Sequence, residues 1–402
     1  MRLTRKEFLG WIGAAAVGAT TPADEWERRA AQLIEEYDRQ GIHRTGSKAD
    51  DLSARWLAAH ARRLGAKVKL ESFALDRLDL QPSFLEASGR RIEGIPIFDA
   101  PLTDAAGIHG QVGPLGSEAE IGWIELPPNA EYGESYEPIR RQNRHQAIVV
   151  VSKGVRPGLS LINAPEFAHP YGAPMLQVSS EHGEWVRQLA ATQSKVNFVA
   201  QARRTRAQAL NVVATITGTQ TQRAPLIVMT PRSGWWHSTS ERGGGLVCWI
   251  EAMRALMQNR PGRTVHFLSS SGHELGHLGL KNFIARHPAL LANAHVWLHF
   301  GANIGAVDAL SRLQASTDEL EALAVATSSQ MGLSLHDKTR RGVIPFGEAG
   351  NIHRGGGHYL SLLCPGNSLF HHPADRWPAA VNPRAVAQYA AAFAKVAVQL
   401  AQ

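Results

Sequence analysis

The fold of this chain is decided by residues 263–284, RTVHFLSSSGHELGHLGLKNFI. An apolar, partly β-branched segment at 264–268 predicts a buried strand, and the small residues at 269–272 predict the turn that ends it. The polar side chains that follow are His273, Glu274 and His277. A buried strand that presents reactive side chains beyond its carboxyl end is typical of α/β domains. This segment therefore predicts both the fold class and the position of a site.

The same segment contains the pattern HExxH, which in one class of zinc proteases lies on a helix. There the two histidines bind zinc and the glutamate acts as the base. In this chain the pattern follows a buried strand and a Ser/Gly turn, which is not the context of that helix. We therefore expect Glu274 to belong to a site completed by other loops, and His277 to pack on a helix face near it.

Composition limits the class of protein. With 402 residues, of which 44% are hydrophobic and 19% charged, the sequence predicts a globular protein of two or three domains. The net charge is +7, but no run of five or more Lys or Arg occurs, so we expect no nucleic-acid partner. The two cysteines, Cys248 and Cys364, exclude a disulfide framework, and their apolar neighbours predict buried thiols.

Residues 1–23 have the order of an export signal, with basic residues, a short apolar segment and then small residues. The segment TRKEFLG resembles a twin-arginine signal in which Lys6 occupies the position of the second arginine. An ordinary amphipathic helix is the alternative. No other segment is apolar enough to predict a membrane span. We therefore expect a periplasmic or secreted mature protein.

The rest of the chain divides into three parts by its pattern. Residues 24–80 predict two amphipathic helices and a strand, the first part of the main domain. Residues 81–200 contain short apolar segments separated by Gly, Pro and Asn, which predicts a β-rich insertion. In residues 201–402 strands and helices alternate. This alternation predicts an α/β fold with a mixed, mostly parallel sheet and helices on both faces.

Five segments occur in the same order as in a known family. They are NVVATITGT (211–219), the strand, loop and GGG helix start at 224–256, HELGHLG (273–279), HFGANIG (299–305) and HHPAD (371–375). In this order they resemble the zinc exopeptidases typified by bacterial leucyl aminopeptidase and aminopeptidase Y. Residues 81–200 resemble the protease-associated domain that is inserted in that family. The resemblance implies a zinc-exopeptidase fold, of the phosphorylase/hydrolase-like type, with its catalytic part in residues 201–402.

The resemblance also implies a metal site, of which this chain keeps one half. Family members bind two zinc ions through histidines and acidic residues. The positions that match the ligands of one ion hold Glu241, Glu274 and His371. The positions of the other ion hold Thr230 and the segment 301–303, which has no acid. The resemblance therefore implies a single zinc ion, because carboxylates and imidazoles are zinc ligands.

Two further positions change the chemistry that the resemblance implies. His273 stands where the family has its general-base glutamate; a base, a fourth metal ligand and a hydrogen-bonding group all remain open for it. Arg232 stands where an aspartate orients a zinc ligand, and we expect its guanidinium to replace the lost second cation. The candidates for substrate contact are His237, Trp236 and His353.

Together these features predict an exported, aminopeptidase-like metallopeptidase with one zinc ion, acting on a peptide or a small amide. One alternative is an acyltransferase similar to glutaminyl cyclases, although that branch lacks the β-rich insertion. The other is a catalytically inactive peptidase-like protein that binds peptides, which the lost base glutamate and the lost second metal site favour. The sequence indicates no oligomeric state.

Overall fold

A computed structural model of the chain describes residues 22–130 and 137–402. All but the last two residues of the predicted export signal lie outside this part of the chain. None of the helices in the described ranges is both long and apolar enough to cross a bilayer. The strands form two sheets, an open sheet of eight strands and a closed barrel.

The strands and helices are numbered in chain order. The strands are β1 (Lys67–Leu80), β2 (Phe84–Ala87), β3 (Arg90–Pro96), β4 (Ile108–Pro114), β5 (Ile121–Leu126), β6 (Ala147–Ser152), β7 (Met175–Val178), β8 (Lys195–Val199), β9 (Ala202–Ile216), β10 (Leu226–Pro231), β11 (Val265–Ser270), β12 (Val296–Phe300), β13 (Arg312–Ala315), β14 (Asp337–Lys338) and β15 (Tyr359–Leu363). The helices are α1 (Pro22–Asp38), α2 (Lys48–Arg63), α3 (Glu137–Gln142), α4 (Gly183–Ala191), α5 (Thr239–Gln258), α6 (Leu278–Arg286), α7 (Pro288–Asn293), α8 (Asp318–Gln330), α9 (Ala349–Arg354) and α10 (Pro383–Leu400).

The open sheet has the strand order β1-β9-β11-β10-β12-β15-β13-β14. Its centre, β11-β10-β12-β15, is parallel, whereas β1, β9 and β13 pair in antiparallel fashion. Every residue of β10, β12 and β15 is buried, as expected when helices cover both faces of a sheet. The predicted α/β class with a mixed sheet is confirmed; outside the parallel centre, β13 and β14 also pair in parallel, whereas the other pairs of the open sheet are antiparallel.

Helices pack on both faces of the open sheet. On one face α1, α5 and α10 enclose a large core, and on the other α6 and α9 cover a smaller one. The beginning of α5 lies very close to the turn after β12, since a Cβ at Gly244 would lie 1.8 Å from the carbonyl oxygen of Ile304. Only glycine permits this approach. It brings the first turn of α5 to the carboxyl ends of the parallel strands.

The seven strands of the barrel follow the order β2-β3-β7-β6-β5-β4-β8. They have a core of their own, which includes Val149, Leu176 and Phe198. The barrel lies between β1 and β9 in the chain, within the β-rich insertion predicted at residues 81–200. Its assignment as a protease-associated domain stays a prediction.

A loop of the barrel reaches the carboxyl edge of the open sheet. The backbone N of Leu161 donates to the carbonyl oxygen of His371 at 3.2 Å. The backbone N of Ala164 donates to the carbonyl oxygen of Glu274 at 2.8 Å. The barrel therefore covers the edge at which the parallel strands of the open sheet end.

Candidate active site

Loops from neighbouring parallel strands meet at one edge of the open sheet. Residues 232–238 follow β10, residues 271–277 follow β11 and residues 301–304 follow β12. Parallel strands place such loops side by side, and this is where α/β folds bind their ligands. The loop 366–372 after β15 and the barrel loop 153–164 complete the site.

A cavity of about 730 Å³ opens between these loops. Its polar lining residues include His273, His299, Asn163, Asn303 and Asn367. Its apolar lining residues include Ile124, Val155, Phe346, Leu363 and Phe370. A cavity of this size, with apolar walls and a few polar groups, suits a small molecule or a short peptide.

Glu274, one of the three implied zinc ligands, is fully buried just after β11. Its Oε1 accepts hydrogen bonds from the backbone N (3.0 Å) and Oγ1 (2.5 Å) of Thr45. Its Oε2 accepts one from Ser233 Oγ at 2.6 Å. Burial raises the pKa of Glu274 above its ordinary value, although these hydrogen bonds oppose the rise. Both carboxylate oxygens are thus already engaged by protein donors.

Glu241, the second implied ligand, lies in the first turn of α5 and is also fully buried. Its Oε1 is 2.6 Å from Nη2 of Arg242 and 3.3 Å from Nε2 of His371. Burial acts to raise the pKa of Glu241, but the charges of Arg242 and His371 lower it to about 2. The carboxylate is therefore ionised and paired within the protein.

His371, the third implied ligand, is positioned by loops from both parts of the molecule. Its Nδ1 donates to the carbonyl oxygen of Leu161 in the barrel at 2.7 Å. Its own carbonyl oxygen accepts a hydrogen bond from Nε1 of Trp236 at 2.9 Å. These contacts orient the ring so that Nε2 faces Glu241.

The structure brings together two of the three implied zinc ligands, Glu241 and His371. Within residues 22–130 and 137–402, no group of three or more His, Cys, Asp or Glu side chains could hold a metal ion. Glu274 is engaged by protein donors, and Arg242 brings a positive charge against Glu241. For these two reasons the residues present do not fit the predicted single zinc ion.

Arg232, expected to replace a second metal ion, is fully buried and does not line the cavity. Its Nε donates to Ser53 Oγ at 2.7 Å. Its Nη2 pairs with Asp50 Oδ1 at 2.8 Å and donates to the carbonyl oxygen of Leu210 at 2.8 Å. The guanidinium therefore joins α2 to the open sheet, because its donors are used by these neighbours instead of facing a ligand.

His273 lines the cavity, and behind it lies a carboxylate. Its Nδ1 is 3.7 Å from Oε1 of Glu348, which is fully buried and accepts a hydrogen bond from Ser270 Oγ at 2.7 Å. Burial and the charge of Arg242 lower the pKa of His273 well below its ordinary value. At neutral pH the imidazole is therefore uncharged and a weak base, so a role in proton transfer relies on the carboxylate of Glu348 to stabilise the imidazolium.

Sequence reasoning misses two residues of this site, Glu348 and Arg242. Glu348 stands between Gly347 and Ala349 in a loop and belongs to no motif, so its only signal is an acidic residue among small ones. Arg242 adjoins an implied ligand, and that adjacency could have drawn attention to it. The cavity also includes His299, whose Nδ1 is 2.9 Å from Ser361 Oγ.

His277 lies at the beginning of α6, next to the site. Its backbone has a left-handed conformation (φ 62°), and its ring centroid is 4.7 Å from that of His273. Its Nδ1 accepts a hydrogen bond from Asn351 Nδ2 at 2.6 Å. His277 therefore lies beside His273 at the amino-terminal end of α6, and not on the helix face as the sequence predicts.

The residues proposed for substrate contact do not line the cavity. Trp236 instead supports His371 through its Nε1 hydrogen bond. His237 is half-buried in the loop before α5. His353 belongs to α9, where its ring packs edge-on against Tyr359 at 5.9 Å. Their part in substrate binding stays a prediction.

Neither a protein-family model nor a curated protein sequence matches this chain. Solved structures do match. A peptidase M28 precursor from Shewanella amazonensis has a TM-score of 0.75 at 17% identity, over 94% of this chain and 96% of that chain. BSAP, a zinc aminopeptidase from Bacillus subtilis, has a TM-score of 0.73 at 17% identity, over 92% and 94%. A glutaminyl cyclase from Fimbriiglobus ruber has a TM-score of 0.54 at 11% identity, over 96% and 98%.

At these identities the likeness establishes the fold and leaves the activity open. The matched regions extend over nearly the whole of each chain, so the barrel and the open sheet are compared together. The protein has the fold of the zinc aminopeptidases, as the order of its sequence motifs predicts.

Proposed function

We propose that the protein is a peptidase-like hydrolase that cleaves an amide or peptide bond of a ligand held in the cavity. The observation that carries the proposal is His273, which lines the cavity with Nδ1 3.7 Å from the buried carboxylate of Glu348. The structural neighbours named as aminopeptidases support this class of bond.

In this proposal His273 moves the proton. Because Nδ1 faces Glu348, Nε2 is the ring atom left for water. Nε2 takes a proton as the water oxygen bonds to the carbonyl carbon, and the same proton passes to the nitrogen as the C–N bond breaks. Glu348 stabilises the imidazolium that exists between these steps. No step is assigned to a metal, since the implied ligand set does not fit one.

The cavity lining supports a peptide-like ligand. The carboxamides of Asn163 and Asn303 can exchange hydrogen bonds with amide groups, and Phe346 and Phe370 offer an apolar surface to a side chain. This combination favours a ligand with an amide backbone and an apolar substituent.

The test is hydrolysis of a peptide and aryl-amide library by purified protein, with and without EDTA. We expect turnover that survives EDTA and falls by about 10²–10⁴ in His273→Ala, the usual contribution of a general base. His109→Ala, at an exposed position of the barrel away from the cavity, is the matched control and keeps wild-type turnover. Unchanged turnover in His273→Ala contradicts the proposal, and loss of turnover in EDTA supports the zinc-dependent form instead.

A second candidate function is peptide binding without turnover. It is favoured by the engagement of both acidic positions, Glu274 by Thr45 and Ser233, and Glu241 by Arg242. Calorimetry with the same library separates the two functions, because a binding protein takes up a ligand and releases no product. Loss of ammonia from an N-terminal glutamine peptide, without addition of water, would instead identify cyclisation.

We also propose that residues 1–23 direct export, so that the mature protein is periplasmic or secreted. Fractionation of the native host followed by N-terminal sequencing tests this. We expect the protein outside the cytoplasm with an amino terminus near Ala23. A cytoplasmic protein that still carries residues 1–23 contradicts it.

A further inference from the structure

Arg242 is a buried cation beside Glu241 in the first turn of α5. Its Nη2 is 2.6 Å from Glu241 Oε1, and its Nε donates to the carbonyl oxygen of Ser233 at 2.7 Å. The contact of Nη2 with Glu241 is an ion pair without hydrogen-bond geometry, and neither Nη1 nor Nη2 makes a hydrogen bond with any residue in the described part of the chain. Since a guanidinium has five N–H donors, most of its hydrogen-bonding capacity remains available.

Arg242 lies among the histidines of the site. Its charge adds to burial in lowering the pKa values of His273, His277 and His299. Two of these histidines, His273 and His299, line the cavity. Arg242 therefore contributes to the low pKa values of these histidines, although burial is the larger cause.

A metal ion and Arg242 would compete for one carboxylate. Glu241 and His371 are the two implied ligands that lie together, 3.3 Å apart. The guanidinium already neutralises Glu241 in a buried environment, where like charges at short distance repel strongly. A divalent ion bound to Glu241 is therefore opposed by Arg242.

We propose that the Arg242 guanidinium is the permanent cation of this site, in the place of a zinc ion, and that it keeps Glu241 and His371 from binding a metal. The solved structures that share the fold include proteins named as zinc aminopeptidases, so the substitution is a departure within one fold. The inference concerns metal binding and does not depend on the chemistry proposed for His273.

The test compares zinc binding by the wild-type protein and by Arg242→Ala. Zinc content is measured by mass spectrometry after dialysis, and the zinc-induced change in Tm by calorimetry. We expect the wild type to keep little zinc and to show no change in Tm. Arg242→Ala should take up more zinc than the wild type at the same free zinc concentration and gain in Tm, because a zinc ion at Glu241 and His371 is then no longer repelled by the guanidinium. Arg242→Lys keeps the charge and should behave as the wild type.

Further variants locate the zinc. Adding Glu241→Gln or His371→Ala to Arg242→Ala should abolish the zinc uptake, and Arg254→Ala, farther along α5, should gain none. Wild-type protein that binds zinc through Glu241 and His371 overturns the proposal, as does a folded Arg242→Ala that binds none. Arg242→Gln, which keeps most of the volume without the charge, decides the question if Arg242→Ala does not fold.

Discussion

Arg232 directly follows β10 and Arg242 lies in the first turn of α5, ten residues later, yet their surroundings differ. Arg232 is held by Ser53, Asp50 and the carbonyl oxygen of Leu210. Arg242 has one ion-pair partner and one carbonyl acceptor, and within the described residues its two terminal nitrogens make no hydrogen bond. Both side chains are buried, so burial alone does not distinguish them.

The difference shows that two buried arginines of one site region can have different roles. The guanidinium of Arg232 is saturated by neighbours from α2 and β9, which makes it a connection between elements. The guanidinium of Arg242 is undersaturated and acts electrostatically on the site histidines. A buried donor without a partner costs free energy, and such costs are found at functional sites.

The largest expected effect is on stability, from Arg232→Ala. It leaves the carboxylate of Asp50 buried and uncompensated, so the free energy of unfolding should fall by about 3–5 kcal/mol. Chemical denaturation measures it. Arg55→Ala, which removes an exposed ion pair with Asp51 on the same helix, is the control and should change stability far less, because water screens that pair. Equal losses in both variants would mean that the buried pairing of Arg232 stabilises the protein no more than an exposed ion pair does.

Arg242→Met tests the other side of the comparison. This variant leaves the carboxylate of Glu241 buried without its cation, so the free energy of unfolding should fall by about 3 kcal/mol. The double variant with Glu241→Gln should recover a part of this loss, because no buried charge then remains without its partner. Denaturation of both single variants and the double variant gives the coupling energy. If the losses of the two single variants add up to the loss of the double variant, Arg242 and Glu241 are not coupled energetically and the proposed role of their ion pair is wrong.

The pH dependence of stability should report the burial of His299. Burial, with a contribution from Arg242, lowers the pKa of His299 from 6.5 to about 4. The unfolded chain therefore binds this proton first, and stability present above pH 6.5 is lost as the pH falls towards 4. The loss should be up to about 3 kcal/mol. Denaturation at several pH values measures it, and His299→Gln should flatten the curve; an unchanged slope contradicts the assignment.

The smallest expected effect comes from Thr45→Val. This change removes the Oγ1 donor to Glu274 and keeps the shape and the backbone donor, so it should cost about 1–3 kcal/mol. Thermal unfolding measures it, with Thr192→Val on the barrel surface as the control. A neutral result would mean that the Thr45 hydroxyl adds nothing to the stability of the buried Glu274.

Much of the architecture follows from sequence pattern. The buried runs of β10, β11 and β12, and the small residues that end them, predict the parallel centre and the edge at which the site lies. The change of pattern at residues 81–200 predicts the β-rich insertion. These features are local, because strand and helix periods are written in consecutive residues.

The sequence by itself therefore determined the α/β class, the order of the elements and the loops that meet at the site. Only the tertiary structure decided which charged side chains lie next to one another in the site. Thr45 engages Glu274 across a separation of 229 residues, and Glu348 reaches His273 from a loop with no motif. Such pairings depend on how distant segments pack, and the periodicity of neighbouring residues does not predict them. The arginine beside the site is accordingly Arg242, whereas the sequence indicated Arg232.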